Sequence, residues 1–281
     1  MAGIVVVFDF DHTIIDCDSD DWVFDQFGVT KLFNQLLCTM SWNSSVDMVM
    51  KEIHSLGGTI EEMVEGLKRV PLHPQMITAI KSAHSLGCDL RIVSDANVFF
   101  IETILKHYGL LEYFSEIITN PNSVDEQGRF RVLSYNDFAF PDPHECSLAC
   151  PPNMCKGKII ERMRDSLAFD EGKKQIIYIG DGKGDFCPSL KMRAGDYVMP
   201  RKNYPVWELI CNSSIHIKAE IHEWSSGDDF KGKLLDLINK INIISGDEEM
   251  ANHIAANSVL QSPIVTCNHQ VVLPHPQALP C

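Results

Sequence analysis

The sequence predicts an α/β fold: a doubly wound parallel sheet with a small helical cap inserted after the first strand. Three observations carry this. Ile4 to Phe8 is an unbroken apolar, β-branched run, as expected for a strand covered on both faces. Shorter runs of the same kind alternate with helical stretches along most of the chain, which argues for a sheet with helices on both sides. Residues 17–72 break that alternation with a stretch that looks helical throughout. In open sheets of this kind, ligands bind outside the carboxyl ends of the strands.

Taken in order, strands are expected at 4–8, 90–93, 116–119, 176–179 and 197–199, and helices at 75–86, 98–108, 157–167 and 189–193. The cap, 17–72, contains helical patterns at 46–55 and 59–69. The core is then 1–16 with 73–245. Residues 120–155 read as a long loop around a β-like 129–135, and long loops in compact domains tend to be functional or disordered. Residues 246–281 lack sustained periodicity, carry four prolines and contain no Lys or Arg, so they are expected to form a mostly disordered tail.

Charge narrows the function. The 281 residues hold 38 Asp and Glu against 24 Lys and Arg, a net charge of −14. Phosphate backbones need clustered basic residues, so no nucleic-acid partner is expected. The acidity suits divalent cations, which take hard oxygen ligands. The N-terminal apolar run stops at Phe8, too short for a signal peptide. No stretch approaches the ~20 apolar residues of a membrane helix. The expectation is a cytoplasmic protein with no membrane partner and mostly reduced cysteines. Oligomeric state is left open.

Four segments carry chemistry. Asp9-Phe10-Asp11-His12-Thr13 follows the first strand, and in extended backbone residues 9 and 11 share a face. Two carboxylates at a strand end repel unless a cation or proton is shared; the alternative is a solvated acidic turn. The run 176–185 is a second strand ending in Gly180-Asp181-Gly182-Lys183-Gly184-Asp185. It fits neither the dinucleotide fingerprint nor the P-loop. Asp9, Asp11, Asp181 and Asp185 make an oxygen-rich site suited to Mg²⁺. Ser94, with Asp95 and Asn97 close behind, ends the strand at 90–93, where a hydroxyl and backbone N–H groups can hold phosphate or simply cap a helix. Lys156 opens a helix and can neutralise phosphate, with Lys158 as its rival.

In this order the segments DFDHT, RIVS, Lys156 and IGDGKGD resemble the haloacid dehalogenase (HAD) superfamily of phosphohydrolases, over residues 4–245. The segments DFDHTIID, DSDDW, IVSDANVFFIE, CPPNMCKG, GDGKGDFCPSL and DYVMPRKNYP further resemble its phosphoethanolamine/phosphocholine phosphatase family. That family has plant members assigned to thiamine monophosphate or pyrophosphate. His12 departs from the Lys, Glu or Arg of many relatives.

The resemblance implies a HAD-like, Rossmannoid fold and a Mg²⁺-dependent phosphatase acting on a small-molecule phosphate ester. It implies Asp9 as nucleophile and Asp11 as acid and then base. The metal would lie on Asp9, the Asp11 carbonyl and Asp181, with Asp185 close by or behind them. Ser94 and Lys156 would hold the phosphoryl group. Asp20 and Asp95, with Asn97, are the expected substrate contacts. Carboxylates there would attract an amine, and Trp22 could add a cation–π face; a helix cap at Asp20 and a loop brace at Asp95 are the plain alternatives. A phosphotransferase would share the aspartyl-phosphate, whereas a receiver domain would lack the second Asp of the first motif.

His144, Cys146, Cys150 and Cys155 form a further cluster that could bind Zn²⁺. Their spacing does not fit paired C-x-x-C motifs, which favours metal-free thiols.

Overall fold

The computed structural model describes residues 3–136, 144–148, 150–167 and 174–260, with the side chains of 245–260 left aside. The chain opens with β1 (Ile4–Phe8) and then α1 (Ser19–Phe27), α2 (Thr30–Leu36), α3 (Trp42–Ser55) and α4 (Ile60–Leu67). It continues through α5 (Pro74–Ser85), β2 (Asp89–Asn97), α6 (Val98–His107), β3 (Phe114–Asn120), β4 (Asn122–Val124) and β5 (Phe130–Val132). The remainder is α7 (Lys156–Leu167), β6 (Gln175–Gly180), α8 (Phe186–Lys191), β7 (Tyr197–Pro200), α9 (Pro205–Asn212), β8 (Glu220–Ile221) and α10 (Gly227–Leu260).

Six strands form one sheet in the order β3-β2-β1-β6-β7-β8, every pair parallel. β1 is covered on both faces, which explains its unbroken apolar run. Ile4, Val6 and Phe8 enter one core with residues of α5, α6, α10 and the cap, while Val5 and Val7 enter the other with Ile159, Ile160 and Met163 of α7. The strand order reverses between β1 and β6, and such a switch point opens a crevice at the carboxyl ends of the strands.

Three elements differ from expectation. β2 runs on to Asn97 instead of ending at residue 93, with an irregular register after Val93. Asn120 holds this extension: its Nδ2 donates to the Asp95 carbonyl at 2.6 Å and the Ala96 carbonyl at 2.8 Å. The cap is composite. Helices α1–α4 are joined by the antiparallel β4–β5 hairpin, which the sequence placed in a core loop. Arg131 on β5 donates to both oxygens of Asp47 on α3, at 2.6 and 2.7 Å.

α10 overruns the boundary expected at 246 and reaches Leu260. Its segment after 246 contains Glu248, Glu249, Met250 and three alanines, strong helix formers that need no apolar stripe. Residues 261–281, the rest of the expected tail, lie outside the described residues. Among the described residues no helix is long and apolar enough to cross a membrane.

Candidate active site

Asp9 is the first residue beyond β1, and its backbone N–H donates to the Ile179 carbonyl of β6 at 2.9 Å. That bond carries the β1–β6 ladder past Phe8 and brings the two strand ends together. The carboxylates of Asp9, Asp181 and Asp185, all buried, offer oxygen atoms within 4.8 Å of one another.

Lys156, the first residue of α7, completes the group. Its buried ammonium donates to Asp9 Oδ2 at 2.6 Å and Asp185 Oδ1 at 3.0 Å, and lies 3.9 Å from Asp95 Oδ1. The rival Lys158 points elsewhere and pairs with Glu161 at 3.5 Å.

Each member is fixed by local chemistry. Asp9 Oδ1 accepts the Phe10 N–H at 2.7 Å. Thr13 donates its hydroxyl to Asp181 Oδ1 at 3.0 Å. Asp185 is saturated: Oδ1 accepts from Lys156 and, at 2.6 Å, from the Tyr178 hydroxyl, while Oδ2 accepts the N–H groups of Asp181 and Gly182 at 3.0 and 2.8 Å. The carboxylate of Asp185 therefore shapes the loop behind the other two. Gly180 is dictated by this packing, because a Cβ there would sit 2.3 Å from Asp185 Cγ.

Three carboxylates face one ammonium, and the electrostatics follow. Burial, then Asp185, raise the Asp9 carboxyl well above the usual range, against the pull of Lys156. Burial and Asp185 push Asp181 up to about 7. At Lys156 burial opposes the charge, but Asp185 and Asp9 outweigh it and hold the ammonium charged.

Asp11 stands apart from this group. Its carboxylate turns toward the cap and accepts the backbone N–H and hydroxyl of Ser19 at 3.1 and 3.2 Å. Burial, then Asp18 and Asp20, raise its carboxyl. Ser94 is fully buried beyond β2's pairing with β1, and its Oγ accepts the Ala96 N–H at 3.4 Å. Asp95 lies at the rim, with 63% of its side chain exposed. Asn97 caps α6 through Oδ1, which accepts the Phe100 N–H at 3.0 Å, while its buried Nδ2 has no partner among the described residues.

The cap overturns one alternative reading, the helix cap at Asp20. Asp18, not Asp20, caps α1, accepting the Asp21 N–H at 2.9 Å. Asp20 is buried; its Oδ2 accepts the Trp42 indole N–H at 3.0 Å, and its Oδ1 has no partner among the described residues. Trp22, offered as a cation–π face, donates its indole N–H to the Gly66 carbonyl at 3.0 Å. Trp42 was missed because nothing in its local sequence links it to Asp20. Tyr178 did carry a signal, as the one hydroxyl in an otherwise apolar strand.

A parallel sheet with an Asp-x-Asp motif after its first strand, a buried lysine and a Gly-Asp-x-x-x-Asp turn at the switch point defines a HAD-type phosphatase. The sequence model of the family described as "Putative Phosphatase" matches residues 4–238, and the chain belongs to that family. It is 54% identical over 270 residues to inorganic pyrophosphatase 1 of Arabidopsis thaliana, covering 95% of this chain and 91% of the relative. It is 50% identical over 241 residues to the thiamine phosphate phosphatase-like protein of the same plant, covering 86% and 98%. A substrate-bound phosphoserine phosphatase shares the fold at 16% identity with a TM-score of 0.54, over 83% of this chain and 97% of that one. The chain is thus a phosphatase of small phosphoesters.

Proposed function

We propose that this protein is a cytoplasmic, Mg²⁺-dependent phosphatase that hydrolyses a small monoester with a cationic end through an aspartyl-phosphate on Asp9. Phosphoethanolamine and phosphocholine are the first candidates and thiamine monophosphate the next. The observation that carries this is the surplus of carboxylates around the catalytic pair. Asp18, Asp20 and Asp95 add carboxyl groups beyond Asp9, Asp11, Asp181 and Asp185; burial, then Asp18, raise the Asp20 carboxyl, which a cationic group beside it would draw back to its charged form, and one oxygen of buried Asp20 is unpartnered among the described residues. Such a site repels polyanions and favours a compensating positive group.

The donor set fits a hard divalent cation: oxygen ligands only, and three carboxylates against one ammonium. Asp9, Asp181 and the Asp11 carbonyl would hold it, with Asp185 supporting the loop. When bound, Mg²⁺ would offset the negative charge of nucleophile and phosphoryl group, so that anion can meet anion.

The chain's own residues supply the rest. Asp9 attacks phosphorus while Asp11, held by Ser19 outside the carboxylate trio, protonates the departing oxygen. Asp11 then takes a proton from the water that cleaves the aspartyl-phosphate, releasing phosphate and restoring Asp9. Lys156 and Ser94 hold the phosphoryl oxygens.

A second reading, pyrophosphate, is favoured by the 54% and 57% identical relatives named inorganic pyrophosphatases. The test is a panel of phosphomonoesters and pyrophosphate, read by phosphate release with Mg²⁺ and no acceptor alcohol; turnover only with an acceptor would mark a phosphotransferase. Asp20→Asn should raise KM for phosphocholine roughly tenfold or more, the worth of a buried charged contact. p-Nitrophenyl phosphate should be little affected. Preference for pyrophosphate over every amine ester, or equal damage to both substrates, overturns the cationic reading.

A further inference from the structure

We propose that Cys146, Cys150, Cys155 and Cys187 form a structural Zn²⁺ site that anchors the start of α7 and α8 beneath the catalytic centre. The inference is independent of the substrate assignment.

The four sulfurs lie within 4.8 Å of one another. Cys146 Sγ is 3.7 Å from Cys150 Sγ and 3.8 Å from Cys187 Sγ, and Cys155 Sγ is 3.7 Å from both Cys150 and Cys187. A regular tetrahedron with metal–sulfur arms of ~2.3 Å has edges of about 3.8 Å. All four cysteines are free, and these separations are far beyond the ~2.05 Å of a disulfide bond. The fourth member is Cys187, not His144, whose Nε2 lies 3.0 Å from the Pro151 carbonyl.

The surroundings suit thiolates. The Leu148 N–H donates to Cys146 Sγ at 3.5 Å and the Lys158 N–H to Cys155 Sγ at 3.4 Å. Gly157 leaves the space that Cys187 occupies; a Cβ at that position would fall 2.4 Å from its sulfur. Four sulfur ligands select a soft or borderline metal over Mg²⁺, and a closed set without an open position marks a structural rather than catalytic site. On binding, the thiols release their protons to solvent and the metal takes four thiolates.

The placement gives the site a role. Cys155 immediately precedes Lys156, and Cys187 follows Asp185 by two residues. The metal would clamp the loop 146–155 against α8 and so fix both partners of Asp9's charge network.

The test uses the full chain purified under reducing conditions after growth with zinc. Elemental analysis should find one zinc per chain that survives dialysis into Mg²⁺ buffer and is released by a mercurial thiol reagent. Growth with cobalt should give the thiolate charge-transfer and visible d–d bands of tetrahedral Co²⁺. Cys150→Ser, at the half-buried edge, should weaken zinc retention and shift those bands, while Cys211→Ser, exposed and outside the four-sulfur group, should leave both unchanged. If Cys150→Ser fails to fold, the cobalt spectrum of the natural chain decides. Substoichiometric zinc with no thiolate spectrum from folded protein overturns the assignment. So does iron in place of zinc, a disulfide within the set, or unchanged metal binding in folded Cys150→Ser.

Discussion

Asp9 and Asp185 are chemically identical side chains set to different tasks by their neighbours. Asp185 accepts four hydrogen bonds and is committed to the loop, whereas Asp9, buried at the strand end, accepts among the described residues only from the Phe10 N–H and from Lys156. Asp9→Asn should therefore leave the fold intact, as read by circular dichroism, and reduce phosphate release by at least ~10³-fold, because a near-isosteric amide cannot attack phosphorus. Near-normal turnover would remove Asp9 from the mechanism. Asp181→Ala should raise the Mg²⁺ concentration needed for half-maximal activity or abolish turnover, since the site loses a charged oxygen ligand. In the natural enzyme a chelator should stop turnover and Mg²⁺ restore it. Full activity in excess chelator would exclude the metal.

Among the elements, β1 and β6 were the most legible, because IVVVF and IIYIG are apolar runs that end on Asp. The cap was legible only in part. Its helices follow from α3 and α4 patterning, but the hairpin that joins them is brought there by tertiary contacts. The Trp42–Asp20 bond and the meeting of Cys187 with Cys146, Cys150 and Cys155 likewise pair residues with no shared local pattern. α10 differs: Phe230, Leu234, Leu237, Ile238 and Ile241 form a helical stripe in the sequence, and all five are buried in the core. It lies beyond the last strand, outside the strand–helix alternation that marks the other elements. The Arg131–Asp47 fork is the testable join in the composite cap. A double-mutant cycle with Arg131→Ala and Asp47→Ala should give a coupling of about 0.5–1 kcal/mol in stability, the scale of a partly exposed pair. No coupling would mean that the hairpin docks by its apolar residues alone.

At the scale of the molecule, the fold is two apolar layers around one sheet, with the acidic site at the switch point. Among the described residues the last buried side chain of α10 is Ile241. Deleting 246–281 should accordingly leave kcat nearly unchanged and shift Tm little. A fall in Tm of more than a few degrees would show that this segment packs on the domain. The reversal of strand order has a further effect, on the time at which activity arises. β1 pairs with strands made much later in synthesis, with Ile4 opposite Gln175. A nascent chain that ends after β5 holds Asp9 and Asp11, the proposed nucleophile and acid, and the cap, yet lacks Lys156, Asp181 and Asp185. Such distant pairings close slowly and late. On the proposed mechanism the growing polypeptide should be inert toward phosphoesters until β6 leaves the ribosome and seats beside β1, so the appearance of turnover would serve as a clock for the final step of folding.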